Sequence, residues 1–262
     1  MKRTLEELLQ QIKARRAKLL EEDYDEYQLH QLRVTTRRLR GLFRFEDNPD
    51  AWQLRREWGY LISHTNRLRD LDTLATRLEQ VPEAMRPISL VDTLSSVRSR
   101  EWQLTRKSLK NDGWAESQQR TRDYLEHQLG DQDKEPDATT TIHEATGRLN
   151  RAWRRAREQN DKRAWHKLRI AVKDLRYSLD AFTEDAADPR IAICKELQEE
   201  LGDWHDAVIH GSLLEELDRE LGRDETAARE GVARLQEDLR LEGEACLKKA
   251  HYVLTARGSQ LL

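Results

Sequence analysis

Two stretches of this chain, HQLRVTTRRLR at residues 30–40 and HKLRIAVKDLR at residues 166–176, carry the same succession of histidine, leucine and basic residues. In the first, Leu29, Leu32, Thr36, Leu39 and Phe43 advance by three and four residues, the step that returns to one face of an α-helix. His30, Arg33, Arg37, Arg40 and Arg44 follow the same steps one residue later. One residue is about 100° of helix rotation, so the basic stripe borders the apolar one instead of opposing it. The second stretch repeats this with Trp165, Leu168, Val172, Leu175 and Leu179 beside His166, Arg169, Lys173 and Arg176. Both read as amphipathic helices whose basic groups lie at the edge of a core.

The match between the two extends beyond the motif. At a displacement of 136 residues Val34 meets Ile170, Arg37 meets Lys173, Asp70 meets Asp206 and Arg98 meets Arg234. Asp25 and Asp161 each stand five residues before a histidine, where a carboxylate caps the first amides of a helix and puts the histidine in the second turn. The breaks NP (48–49) and DP (188–189) are displaced by 140 instead, which implies one extra helical turn in the first copy before register returns at Asp70.

Helical periodicity runs through nearly every other segment, broken at EDNPD (46–50), VPEAMRP (81–87), NDG (111–113), GDQDKEPDATT (130–140), EDAADP (184–189) and GRDE (222–225). The expectation is an all-α chain of about eight or nine helices. They form two pseudo-symmetric antiparallel four-helix bundles from an internal duplication, at about 1–128 and 140–262 with a linker over 129–139. The segment LEELLQQIKARRAKLLEE (5–22) is amphipathic and feeds the first bundle or a partner contact.

Composition narrows the function. Charged residues make up 36% of the 262 residues, yet 46 Lys and Arg against 49 Asp and Glu leave a net charge of −3. The whole molecule exerts no pull on nucleic acid or an anionic membrane, so any anion site has to come from local segregation of charge. Cys194 and Cys246 make no disulfide framework, and no signal peptide or long apolar run is visible. The expectation is a cytoplasmic protein with no membrane partner, and both cysteines read as core residues.

Segregation is what the stripe provides. An ordinary solvated helix face interleaves acids for i,i+4 pairing, but the stripe positions from 30 to 44 hold none. Like charges at that spacing repel by a few tenths of a kcal/mol per pair unless an anion is bound or placed opposite. From His30 to Arg40 the rise is about 15 Å, enough to meet several phosphates in a row. Arginine forks chelate phosphate oxygens and lysine adds a mobile charge. A single edge histidine is better explained by a core carbonyl, and recurrence at His30 and His166 puts a ligand site on an equal footing with that reading. Should both charge on binding, affinity strengthens as pH falls from 8 to 6.

HxLRxxxRxLR at 30–40 and HxLRxxxKxLR at 166–176, together with LRDLDTL (68–74) and LGDWHDAVI (201–209), resemble the signature of the CHAD family, the conserved-histidine α-helical domain. The resemblance covers essentially the whole chain. It implies an all-helical, pseudo-symmetric pair of four-helix bundles whose basic central groove binds inorganic polyphosphate without known catalysis. The matching positions are His30, Arg33, Arg37, Arg38 and Arg40, then His166, Arg169, Lys173 and Arg176. Arg44 extends the first stripe by one step. Where the first copy has Arg38 the second has Asp174, so either the second copy binds more weakly or position 38 lies off the groove. Family members often follow a triphosphate-tunnel domain; with no ExExK motif here, the chain looks like a stand-alone member, expected in the cytoplasm with polyphosphate granules or a polyphosphate-handling enzyme as alternative partners beyond the polyanion itself.

Three other functions compete. HD at 205–206, with His64 or His210, suggests a metal-dependent phosphohydrolase, but the counterpart of His205 is Arg69, which cannot ligate a metal. A helix bearing Arg33, Arg37, Arg38 and Arg40 tracks a nucleic-acid backbone equally well in principle. Its basic residues nevertheless border an apolar stripe, and the seven Trp are spread as core residues rather than as a stacking platform. A helical scaffold would turn Glu199, Glu200, Glu215 and Glu216 toward the arginines. No phosphate-binding Gly loop, Ser-His-Asp set or catalytic cysteine is present, so no enzyme and no cofactor is expected. Arg98 with Arg234, and Arg148, Arg151 and Arg155, are further groove candidates.

Overall fold

A computed structural model describes residues 2–21, 23–46, 48–82, 86–127, 137–182, 188–222 and 224–261. Among them are ten α-helices and a terminal 3-10 turn, Gly258–Leu261. The helices are α1 (Lys2–Glu21), α2 (Glu26–Leu42), α3 (Pro49–Ser63), α4 (Asn66–Gln80), α5 (Ile88–Leu109), α6 (Gly113–His127), α7 (Ala138–Gln159), α8 (Lys162–Phe182), α9 (Pro189–Glu220) and α10 (Thr226–Arg257). The chain divides into two units, residues 1–136 with 220–228, and residues 137–219 with 229–262. None of the described helices is long and apolar enough to cross a membrane.

Both apolar stripes are buried throughout. Leu29, Leu32, Thr36, Leu39 and Phe43 lie in the core of the first unit, and Trp165, Leu168, Val172, Leu175 and Leu179 in that of the second. The amphipathic N-terminal segment is α1, which buries Leu5, Leu8, Leu9, Ile12 and Leu19 against the first core. Five tryptophans, Trp58, Trp102, Trp114, Trp165 and Trp204, are buried, while Trp52 is exposed and donates Nε1–H to the Glu46 carbonyl at 2.9 Å. Cys194 and Cys246 are buried, and burial pushes their thiols up to about 12 and about 11.

The first unit holds six helices where four were expected. Helices α3 and α4 are separated at His64 and Thr65, and α5 and α6 at Lys110 to Asp112, whereas the second unit spans the corresponding stretches with the 32-residue α9 and α10. Taken as rods, α1, α2, α3 with α4, and α5 with α6 make four, matched in order by α7 to α10. The starts of α1 and α7, and of α2 and α8, are 136 residues apart, and those of α3 and α9 are 140 apart. Helix α8 is one turn longer than α2, at 21 residues against 17, and the first unit recovers those four residues between Pro49 and Asp70. The α3/α4 break falls in that interval. It carries no Gly or Pro; Thr65 ends up buried with its hydroxyl donating to the Ile62 carbonyl at 2.7 Å.

Both acid caps form. Asp25 Oδ1 accepts from the Gln28 amide at 3.2 Å, and Asp161 Oδ1 from the Ala164 amide at 2.7 Å. Before Asp161 the chain reverses at Asn160, whose φ of 47° and ψ of 34° place it in the left-handed region that asparagine tolerates better than most residues. The Asn160 side-chain oxygen also accepts from Trp165 Nε1 at 2.9 Å, fixing the first turn of α8 one residue before His166. The expected linker at 129–139 lies outside the described residues up to 136, and Asp137 then caps α7 through the amides of Thr139 and Thr140.

Candidate functional site

The basic stripe of α2 meets α4 at its N-terminal half. Arg33 reaches across to the start of α4, donating from Nη1 to Thr65 Oγ1 at 2.6 Å and to Asn66 Oδ1 at 2.8 Å. Both acceptors are neutral. Arg37 and Arg69 stand close enough to repel it, Asp70 and Asp72 offset part of that, and burial is the largest influence: the Arg33 guanidinium is pulled down to about 10. Arg37 is exposed and donates weakly back to the Arg33 carbonyl at 3.4 Å. His30 completes the group, held below its ordinary value by burial and then by Arg69, Arg37 and Arg33. The first unit thus gathers His30, Arg33, Arg37 and Arg69.

Arg69 pairs with Glu26, Nη1 to Oε1 at 2.6 Å. Glu26 also lies 3.8 Å from Arg98, which spends its guanidinium on the fully buried Asp72, with Nε at 3.1 Å and Nη2 at 2.8 Å from Oδ1. Tyr24 donates its hydroxyl to the same carboxylate and packs on Trp102 at 4.9 Å between ring centroids. Arg98, suggested by the sequence as a groove residue, therefore belongs to a structural network that braces Arg69.

In the second unit α8 presents His166, Arg169 and Lys173 toward His205 of α9. The two imidazoles lie 5.3 Å apart between centroids and are tilted by 44°, and Trp204 flanks His205 at 6.3 Å. Burial, then the charges of Arg169, His166 and Lys173, pull His205 down to about 4, and burial with Arg169 lowers His166. The four residues are the 136-residue counterparts of His30, Arg33, Arg37 and Arg69. The same four positions come together in both units, the fourth of them, Arg69 of α4 or His205 of α9, lying outside the motif helix.

The remaining stripe residues turn elsewhere. Arg40 folds onto α3, donating from Nε to the Arg55 carbonyl at 3.1 Å; its guanidinium lies flat against Gly59, where an added Cβ would sit 2.9 Å from Nη2. Arg44 falls past the end of α2, since Phe43 is the C-cap and packs edge-on against Tyr124, and Arg44 lies 5.6 Å over the Phe45 ring. Arg38 is exposed, one residue off the face of Arg33 and Arg37. Arg176 sits 3.6 Å from Asp180 and 4.9 Å over the Tyr177 ring. Arg234 is exposed.

Among the described residues no group of three or more His, Cys, Asp or Glu gathers in a way that could hold a metal. Of the acids that a scaffold would use, Glu200 pairs with Lys249 at 3.3 Å.

Comparison with known proteins puts this arrangement in a family. A family model described as the CHAD domain matches residues 3–215. The crystal structure of the CHAD domain from the plant Ricinus communis superposes with a TM-score of 0.73 at 21% identity, covering 98% of this chain and 88% of that one. The structure titled PptA from Streptomyces chartreusis gives 0.62 at 16%, covering 96% of this chain and 99% of that one. No curated protein matches. The structural likenesses establish the all-α fold, and with the family model spanning residues 3–215 the chain belongs to the CHAD family.

Proposed function

We propose that the protein binds inorganic polyphosphate through these two cationic clusters, without catalysing its turnover. The observation that carries the reading is the repeated constellation itself: His30, Arg33, Arg37 and Arg69 in one unit, His166, Arg169, Lys173 and His205 in the other. In each, cations repel one another at the edge of an apolar core, and desolvation adds to the cost. An arrangement that disfavours its own charge is relieved by a polyanion, and closely spaced cations suit a ligand bearing one negative charge per phosphorus. Arginine supplies forked hydrogen bonds to the oxygens, and lysine and histidine supply single donors. Binding of this kind releases counterions, so affinity falls steeply with salt and rises with chain length.

The test is a titration, at two salt concentrations, of the purified protein with long-chain polyphosphate and with single-stranded and duplex nucleic acid of matched charge. It runs beside a folded Arg33→Ala/Arg37→Ala/Arg169→Ala/Lys173→Ala variant. Preference for polyphosphate that the variant loses supports the reading. Equal or tighter binding of nucleic acid refutes it, and affinity that stops growing after two or three phosphates reduces the clusters to small phosphate sites. A tagged copy that concentrates at polyphosphate granules in cells would extend the same reading to localisation.

A further inference from the structure

The two clusters differ at Arg37, answered by Lys173, which is also a cation, and at the fourth position. Where the first unit has Arg69, tied to Glu26, the second has His205, and the counterpart of Glu26 is Lys162. We infer that the second cluster is proton-gated: His166 and His205, stacked beside Arg169 and Lys173, take up protons as polyphosphate binds, so this unit tightens its hold as pH falls while the first changes less. The inference rests on the polyphosphate reading above and adds its regulation.

The geometry makes the pair responsive. The rings lie 5.3 Å apart between centroids, His205 is flanked by Trp204, and water is partly excluded from both. The charges acting on His205 are Arg169, His166 and Lys173 from α8, and on His166, Arg169. Burial and these charges favour the neutral form of both imidazoles in the free protein. A polyanion laid across Arg169 and Lys173 cancels the field that discharges the rings and supplies acceptors for their N–H groups, which raises both pKa values. The sign follows: affinity gains as pH falls through the raised values of the bound state, and the gain stops below the free-state values, about 4 for His205. In the first unit the fourth member is an arginine, leaving His30 as that cluster's single histidine.

The experiment follows long-chain polyphosphate binding by the full chain from pH 8 to pH 5 at constant ionic strength, for the wild type, His205→Gln and His205→Arg. Long chains keep the titrating terminal phosphates a small fraction of the ligand. Proton uptake is read independently by calorimetry in two buffers of different ionisation enthalpy. Each proton taken up makes affinity rise by up to about tenfold per pH unit within its window. The expected result is that His205→Gln gains less affinity than the wild type between pH 8 and pH 5, with one proton fewer taken up. His205→Arg should bind more tightly than the wild type at pH 8. A wild type that binds with a flat profile, or a His205→Gln variant with the wild-type slope and proton count, overturns the gate and leaves the binding reading standing. A wild type that binds at no pH overturns the binding reading, and the gate falls with it.

Discussion

If the clusters exist for a ligand, removing a cation should leave the free protein no less stable. Arg33 is the sharpest case. Burial and the neighbouring cations pull its guanidinium down to about 10, so holding the charged form in the folded free protein costs about 3 kcal/mol at neutral pH, an upper value because part of the side chain reaches solvent. Arg33→Met keeps the aliphatic stem and removes the charge, recovering some of that cost. Against it stand two hydrogen bonds, to Thr65 and Asn66. Thr65 Oγ1 keeps its own bond to Ile62, and Asn66 is exposed to water, so their loss costs about 1 kcal/mol in all. The variant should therefore be as stable as the wild type or up to about 2 kcal/mol more so, with a Tm unchanged or raised by about 2–6 °C. Urea denaturation followed by tryptophan fluorescence measures this, and a polyphosphate titration of the same sample should show weakened binding. Destabilisation by more than about 1 kcal/mol would refute the reasoning and make Arg33 a structural brace between α2 and α4.

The opposite behaviour is expected of Asp72→Asn, which breaks a buried ion pair. Such losses cost about 3–5 kcal/mol, here nearer 1–2 because burial already holds the Asp72 carboxyl above its ordinary range and Arg98 is partly exposed and keeps Glu26 within 3.8 Å; urea melts followed by circular dichroism check it, and no measurable loss contradicts the network. Arg37→Ala should weaken polyphosphate binding about tenfold, the 1.4 kcal/mol of one charge-assisted contact, and Arg38→Ala less than about twofold. Equal losses at the two positions would mean that the ligand follows the exposed side of α2 instead. Asp161→Ala removes the cap of α8 and should cost about 1 kcal/mol, which chemical denaturation resolves; no measurable cost would show the cap to be dispensable.

Much of this was legible in the sequence because helical period is a local property. Leu29, Leu32, Leu39, Leu168 and Leu175 declare a buried face by spacing alone, and Asp25 and Asp161 declare where it begins. What the sequence did not disclose depends on partners distant along the chain. The stripe predicted Arg40 and Arg44 in line with Arg33 and Arg37, but Arg40 finds an acceptor and a side-chain gap on α3, at Arg55 and Gly59, and α2 stops at Leu42 because Phe43 is taken into the core. Arg176 is drawn to Asp180 and Tyr177. The α3/α4 break carries no Gly or Pro to mark it, although the four-residue shift between Pro49 and Asp70 was its signature. Arg69 and His205 were visible as counterparts, yet nothing local tied them to the motif helices; only the approach of α4 and α9 makes them the fourth member of each cluster.

The most direct measurement is the slope of log affinity against log salt for long-chain polyphosphate, compared among the wild type, a His30→Gln/Arg33→Met/Arg37→Ala variant and a His166→Gln/Arg169→Met/Lys173→Ala variant. Each lost phosphate contact lowers the slope by somewhat under one. With a cluster in each unit, both variants should remain folded and each should lose about two from the slope. A variant of either unit that keeps the wild-type slope would contradict the claim that both clusters hold the polyanion.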